Sequence, residues 1–318
     1  MVTEFQFIEN IKSRYSLEKI GDDCAVLRKD AYTDLLLTAD MLVEDIDFRL
    51  DWTTPEFLGH KALAVSLSDI AAMGGGPKWA MLSIGIPLNL WDTDLLDRFY
   101  EGWFSVARHF GVELVGGDVS KTLDKLVIDS IIGGEIEKGK AILRSGAKPG
   151  DAIYVTGSLG GAIGGLKLLE TGVKFDCALP ETTRNLLLQQ LQPQPQVDIS
   201  KLLYKLHIVH SMIDMSDGLS SDITHLCAAS SRGARINAEL LPVDTSLLDH
   251  FPANACLEMA LNGGEDFQLL FTADEKKVFE ASIDGITRIG EITANVGIIE
   301  LIRYGKTEIL EPKGFSHF

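Results

Sequence analysis

Residues 61–84, KALAVSLSDIAAMGGGPKWAMLSI, set a single acid, Asp69, inside an apolar run that stops at three glycines. Leu63, Leu67, Ile70 and Met73 recur at three- and four-residue spacing. That spacing predicts a helix with one apolar stripe, ended by residues 74–77 before the strand-like WAMLSI. A carboxylate among Ala, Leu and Ile requires solvent, a hydrogen-bond network or a cation, and the local sequence leaves all three open.

The same object recurs along the chain. Asp22, Asp23, Asp40, Asp69, Asp118, Asp214, Asp217, Glu265 and Asp266 all stand at glycine-bounded ends of predicted elements, the edge of a layered fold where function collects. Hard carboxylates with no His or Cys at ligand spacing suit Mg2+ rather than zinc. Mg2+ between such acids and a polyphosphate screens the anionic oxygens and aligns donor and acceptor, which makes ATP-dependent phosphoryl transfer the leading class. Ser216, beside Asp217 and near His210, lacks a GxSxG elbow, so a nucleophilic triad is the weaker reading.

Composition limits the partners. With 46 acids against 29 Lys plus Arg, the net charge of -17 discourages binding to nucleic acid or anionic membranes. A phosphate substrate remains compatible when a cation bridges it to the carboxylates. Cys24, Cys177, Cys227 and Cys256 are scattered, and the chain shows neither a secretory leader nor an apolar run of membrane-spanning length. A reducing cytoplasm is the expected compartment. A length of 318 residues with 46% apolar content accommodates two domains.

In chain order, Phe5, Ile8 and Ile11 predict an opening helix, and DLLLTAD a strand that delivers Asp40. After the central helix come strands at 79–86, 112–120 and around LVIDSIIGGEI, with a helix at 93–110 between the first two. Strand and helix alternate, which argues α/β or α+β. RSGAKPGD, residues 144–151, reads as the domain boundary, and its Arg144 and Lys148 serve either a phosphate or the solubility of a linker. Beyond it, SLGGAIGG enters a helix through a glycine turn of the kind that holds phosphate on backbone N–H groups, although neither GxGxxG nor a P-loop is present. LQQLQPQPQVD reads as a surface loop. IDMSDGLSSD sets Asp214 and Asp217 at a strand-to-helix turn, and the aromatic tail GFSHF is expected to fold back onto the body.

The segments IGDDCAV at 20–26, TADMLVED at 38–45, HKALAVSLSDIAAMGGGP at 60–77, GGD at 116–118, RSGAKPGD, VTGSLG at 155–160, IDMSDGLSSD at 213–222, GGEDFQLLFT at 263–272 and GFSHF run in one order over essentially the whole chain. Together they resemble the thiamine-monophosphate kinase family, within the aminoimidazole ribonucleotide synthetase-like superfamily. The resemblance implies a two-domain α/β (α+β) fold. Residues 1–143 would bind ATP and Mg2+ and pair with a second copy in a dimeric barrel-like core, and residues 144–318 would close over the cleft. It implies transfer of the γ-phosphoryl of ATP to thiamine monophosphate, with ADP released. Asp23, Asp40, Asp69, Asp118 and Asp217 match the family's metal-binding carboxylates, with Asp22 and Asp214 as further ligands or their supports. Asp217, Asp118 and Arg144 fall to catalysis. Asp23, Lys61, Gly117, Asp118, Arg144 and Ser216 fall to the nucleotide, and Asp47, Glu265 and Phe315 to the acceptor.

The chain departs from the family pattern at Asp47 (for histidine), Ser66 (for asparagine), Val119 (for threonine) and Gln196 (for arginine). Loss of a cationic group at positions 47 and 196 weakens local anion attraction, which bears on the acceptor more than on the reaction class. A sibling ATP-dependent synthetase of the same fold and a non-catalytic nucleotide-binding protein are the alternatives.

Overall fold

The computed structural model describes residues 4–315, with side chains from Gln6 onward. Phe5 of the expected first stripe and residues 316–318 of the tail therefore lie outside the described side chains. The first half runs α1 (Glu4–Tyr15), β1 (Ala25–Arg28), β2 (Thr33–Val43), α2 (Pro55–Ala72), β3 (Gly76–Pro87), α3 (Leu88–Trp91), α4 (Leu95–Phe110), β4 (Glu113–Thr122) and β5 (Val127–Glu137). Its five-stranded sheet has the order β1-β2-β5-β3-β4, antiparallel except for the parallel pair β3 and β4.

The second half runs β6 (Ala152–Thr156), α5 (Gly161–Glu170), α6 (Glu181–Leu191), α7 (Val197–Leu206), β7 (Val209–Asp214), α8 (Leu219–Ser230), β8 (Gly233–Asn237), α9 (Ala253–Asn262), β9 (Leu269–Ala273), α10 (Glu275–Ala281), β10 (Ile286–Thr293), β11 (Ile299–Arg303) and β12 (Lys306–Ile309). Its seven-stranded sheet has the order β12-β11-β8-β10-β6-β9-β7, with only β11 and β8 parallel. The mainly antiparallel pairing makes this an α+β form of the expected class. Both sheets are open, and neither closes into a barrel within one chain.

α2 is the element around which the halves assemble. Thr54 caps it by accepting from the Phe57 N–H at 3.3 Å, Pro55 starts it, and the left-handed Gly74 (φ 74°) ends it. The expected single apolar stripe is too narrow: every residue from Leu58 to Ser68 is buried, with Ile70, Ala71 and Ala72. A helix covered all round has no solvent face to mark with charge, and α2 is flanked by β2 and β5, by α4, and by α7 and β7 of the other half. α4, with a wet side, buries Leu95, Phe99, Trp103 and Val106 of its periodic apolar set, while Leu96 of that set is half-buried.

Small residues let α2 and α4 approach closely. A Cβ at Gly59 would stand 1.9 Å from the Phe99 carbonyl oxygen, and one at Gly102 would stand 1.9 Å from that of Glu56. Arg98 locks the crossing through Nε and Nη2 to the two carboxylate oxygens of Glu56, at 2.7 and 3.1 Å. One hydrophobic cluster then continues from Leu36, Leu63 and Trp103 into Tyr154, Met212 and Phe271 of the second half.

The surface loop expected at 188–198 is a correction. Residues 188–191 finish α6, Pro193 and Pro195 are buried, and the Pro193 carbonyl lies 2.7 Å from His60 Nε2. Proline packs there because it brings no N–H that burial would strand. α6, α9 and β12 lack a clear periodic signal in the sequence and emerge only in the structure. Among the described residues, no helix is long and apolar enough to cross a membrane.

Gly102→Ala is expected to cost about 1–3 kcal/mol or more through overpacking, read as a lowered urea midpoint. An unchanged midpoint would mean that α2 and α4 separate freely.

Candidate active site

Three carboxylates converge where the halves meet. Asp23 arrives on the loop before β1, Asp69 in the last turn of α2, and Asp214 as the last residue of β7; each offers an oxygen within 4.8 Å of the others. Asp40, on β2, adds its charge to the same field, raising Asp69 and Asp214. By strand alternation Asp40 shares the inner face of the sheet with Leu36 and Thr38, the face that α2 covers.

Like charges held out of water favour their neutral forms. Burial, and then Asp40, Asp214 and Asp23, push Asp69 well above the ordinary carboxylate range. Burial and then Asp23 push Asp214 up to about 7. Asp40 is raised by burial, while the nearby Ser66 hydroxyl opposes the shift without reaching hydrogen-bond geometry. Asp23 is raised by burial despite the pull of Arg144.

Each acid has a specific support. Arg144 Nη2 donates to Asp23 Oδ1 at 2.6 Å with Nε at 3.1 Å, and the Arg144 backbone N–H donates to Asp22 Oδ1 at 2.7 Å. Burial disfavours the guanidinium charge, but Asp23 more than compensates and holds Arg144 cationic. Thr38 Oγ1 donates to Asp69 Oδ2, and Ser68 Oγ donates to Asp214 Oδ2 at 2.6 Å. Two buried oxygens, Asp23 Oδ2 and Asp40 Oδ2, have no hydrogen-bond partner. An all-oxygen donor set with raised pKa values and orphaned oxygens fits a hard divalent cation.

Beside these acids opens a cavity of about 640 Å³ that gathers Asp40, Asp47, Lys61, Ser216, Glu265 and Phe315. Lys61 is not a surface charge: it is 4% exposed and pairs with Glu265 at 2.7 Å across the halves. Gln190 Nε2 holds the other Glu265 oxygen. Asp47 accepts from the Val43 N–H at 2.7 Å, which folds the loop after β2 along the cavity. Phe315 is 53% exposed and its N–H donates to the Asp217 carbonyl at 3.1 Å, so of the tail the described residues Gly314 and Phe315 lie back against the body.

The SLGGAIGG turn has another occupant than a phosphate. Asp266, 7% exposed, accepts from the Gly160 N–H at 2.6 Å and the Ala162 N–H at 3.1 Å, and so fills the start of α5 itself. Burial raises its pKa to about 7 while those two N–H groups oppose the rise.

Asp217 and Ser216 lie half-buried at the turn before α8, where the Ser216 carbonyl accepts from the Glu265 N–H at 2.8 Å. Asp217 adds its charge to burial in raising Asp222, a buried acid that accepts from the Gly218 N–H at 2.9 Å. Gly117 and Asp118 stand apart from this group. Gly117 packs so tightly on β3 that a Cβ would stand 1.9 Å from the Leu82 oxygen. Asp118 is exposed on β4, the outer strand; its register with Ser83 and Asp129 sets it on the sheet face opposite Asp40.

The supports Thr38, Ser68, Gln190 and Asp222 escaped the sequence reading. A hydroxyl two residues before Asp40 on a strand, and one directly before Asp69, were the available signals, and neither specifies a distant partner.

Comparison with known proteins gives the arrangement its context. The AIR synthase related protein N-terminal domain family matches residues 21–136, and the corresponding C-terminal domain family matches residues 148–300. Thiamine-monophosphate kinase of Bacillus subtilis (strain 168) is 36% identical over 308 residues, covering 94% of this chain and 93% of the relative. That of Escherichia coli (strain K12) is 37% identical over 307 residues, covering 94% and 91%. The solved structure of AaThiL complexed with AMPPCP and TMP superposes with a TM-score of 0.89 at 33% identity, covering 100% of this chain and 97% of that one. The hydrogenase maturation protein HypE, at 20% identity and a TM-score of 0.71, shares the fold alone. With both domain families matched in order and relatives 36% and 37% identical over more than nine-tenths of their length, the chain belongs to the thiamine-monophosphate kinase family, on the two-domain fold of the AIR synthase related proteins.

Proposed function

We propose that this cleft transfers the γ-phosphoryl group of ATP directly and in line to the phosphate of thiamine monophosphate, giving thiamine diphosphate and ADP. The observation that carries the reading is the carboxylate group beside the cavity, in a chain of this family. The acceptor phosphate is already anionic near neutral pH, so the reaction needs positioning and charge compensation rather than a strong base.

Asp23, Asp40, Asp69, Asp214 and Asp217 would hold Mg2+; Asp118, which lies on the opposite sheet face within one chain, would join them only from a second copy. Mg2+ held by these carboxylates would supply charge compensation for the transferring phosphoryl group. The fit of the donor set supports this for the first four, whereas Asp118 rests on its motif. Asp217, Asp118 and Arg144 are proposed as catalytic. Arg144 is cationic at the seam and suits a phosphate, with Lys61, Gly117 and Ser216 toward the nucleotide. Asp47, Glu265 and Phe315 are proposed for the acceptor: the carboxylates offer counter-charge to the thiazolium, and the Phe315 ring offers a stacking face.

The domain division is proposed at 143/144, a position in the gap between the residues matched by the two families. A homodimer is proposed through the outer face of the first sheet, where Met41 is 59% and Met81 40% exposed. Pairing of two such faces would complete the barrel-like core. Four free cysteines, three of them buried, suit a reducing cytoplasm.

The full chain with Mg-ATP and thiamine monophosphate is expected to form thiamine diphosphate, detected chromatographically; folded, ATP-bound protein yielding none would sink the assignment. ADP release without the acceptor would favour a synthetase-like activity instead. Asp118→Asn is expected to lower turnover at least about tenfold with an unchanged melting temperature, and wild-type kinetics would remove Asp118 from the machinery.

The acid group also predicts a pH dependence. Carboxylates raised above their unfolded values stabilise the chain fully below the ordinary value of 3.8, and that contribution is lost as pH rises through about 7 for Asp214. Ligand-free protein should therefore melt lower at pH 8 than at pH 5.5, with Mg2+ restoring more stability at the higher pH. Asp214→Asn should flatten the profile; an unaltered profile would show that Asp214 does not titrate there.

A further inference from the structure

We propose that Ser68 is a positioning residue for the cation site: it pins Asp214 of the second half against Asp69 of the first and so sets the spacing of the carboxylate group. The inference rests on the metal-holding role proposed above and adds to it a residue that touches neither cation nor substrate.

Four observations carry it. Ser68 Oγ donates to Asp214 Oδ2 at 2.6 Å, between groups that are 0% and 3% exposed and 146 residues apart. Ser68 directly precedes Asp69, so one turn of α2 supplies both an acid of the trio and the donor that fixes another. Asp214 ends β7, a strand paired with β9 in the sheet of the second half, so its carboxylate belongs to the opposite half from Asp69. The third acid, Asp23, is tied instead to Arg144.

Without the hydroxyl, Asp214 would face Asp23 and Asp69 with like charge, and rotation away from them would relieve the repulsion. A single hydroxyl donor opposes that rotation while occupying only Oδ2, which leaves Oδ1 for a cation. Groups that orient metal ligands in this way typically change affinity by about 10-fold to 100-fold when removed.

The same seam supplies a control. Ser200 on α7 is also fully buried and donates across the halves to the Ala71 carbonyl, two residues beyond Asp69, but it touches no acid. A purely structural role at the seam would make the two serines equivalent.

The test titrates Mn2+ into the full chain with AMPPCP present, followed by electron paramagnetic resonance, and measures the Mg2+ activation constant separately from the acceptor KM. Ser68→Ala is expected to weaken Mn2+ binding about 10-fold to 100-fold and to raise the Mg2+ activation constant alike. The acceptor KM should stay within about twofold, and Ser200→Ala should bind Mn2+ as the wild type does. Ser68→Cys, a weaker donor of similar size, should show the same loss and covers the case in which Ser68→Ala fails to fold. Wild-type Mn2+ affinity in Ser68→Ala or Ser68→Cys, or an equal loss in Ser200→Ala, would overturn the inference alone. Failure of the wild-type chain to bind Mn2+ would overturn the metal reading and this inference with it.

Discussion

Carboxylates concentrated at a buried seam are the constraint on which the rest of the site depends. Asp23, Asp69 and Asp214 stand with oxygens within 4.8 Å, and Asp40 adds to their field. Such a group is held in place only if the surrounding structure over-determines it, since repulsion and lost hydration both push it apart. The chain meets this with one guanidinium on Asp23 and with hydroxyls on Asp69 and Asp214. It also anchors each acid on a rigid element or beside one.

That anchoring explains the burial of α2. A helix with a wet face would leave room for Asp69 and Ser68 to move relative to β7. Here α4 closes one side through Gly59 and Gly102, the sheet closes another, and the second half closes the third with a continuous apolar core. Polar ties across the halves repeat along its length: His60 to the Pro193 carbonyl, Lys61 to Glu265, Ser68 to Asp214, and the Ala71 carbonyl to Ser200. The cavity and the acid group are therefore framed by the same helix, one near its middle and the other at its end.

Division of labour among the glycine-edged acids also becomes clear. They look alike in sequence, yet Asp266 serves the start of α5 and Glu265 neutralises Lys61. An acid beside glycine is thus a mark of an element end, and its duty depends on what the opposite half brings to it. Arg144 and Lys61 show the same dependence from the cationic side, since each is defined by the carboxylate it meets across the seam.

The sequence by itself determined the order of strands and helices near the site, the helix ending at Gly74, the strand end that delivers Asp214, and the family; the strand expected to end at Asp40 instead runs on to Val43, because β5 pairs with it to that point. These are local matters of periodicity, turn chemistry and motif wording. It also pointed to a hard cation, because the chain offers carboxylates without histidine or cysteine ligands. Only the tertiary structure decided that α2 is buried all round, that Pro193 and Pro195 are packed rather than exposed, and that Asp118 stands on the opposite sheet face from Asp40. It alone joined Ser68 to Asp214, because a hydroxyl's partner 146 residues away is chosen by the packing of two halves and leaves no periodicity in either.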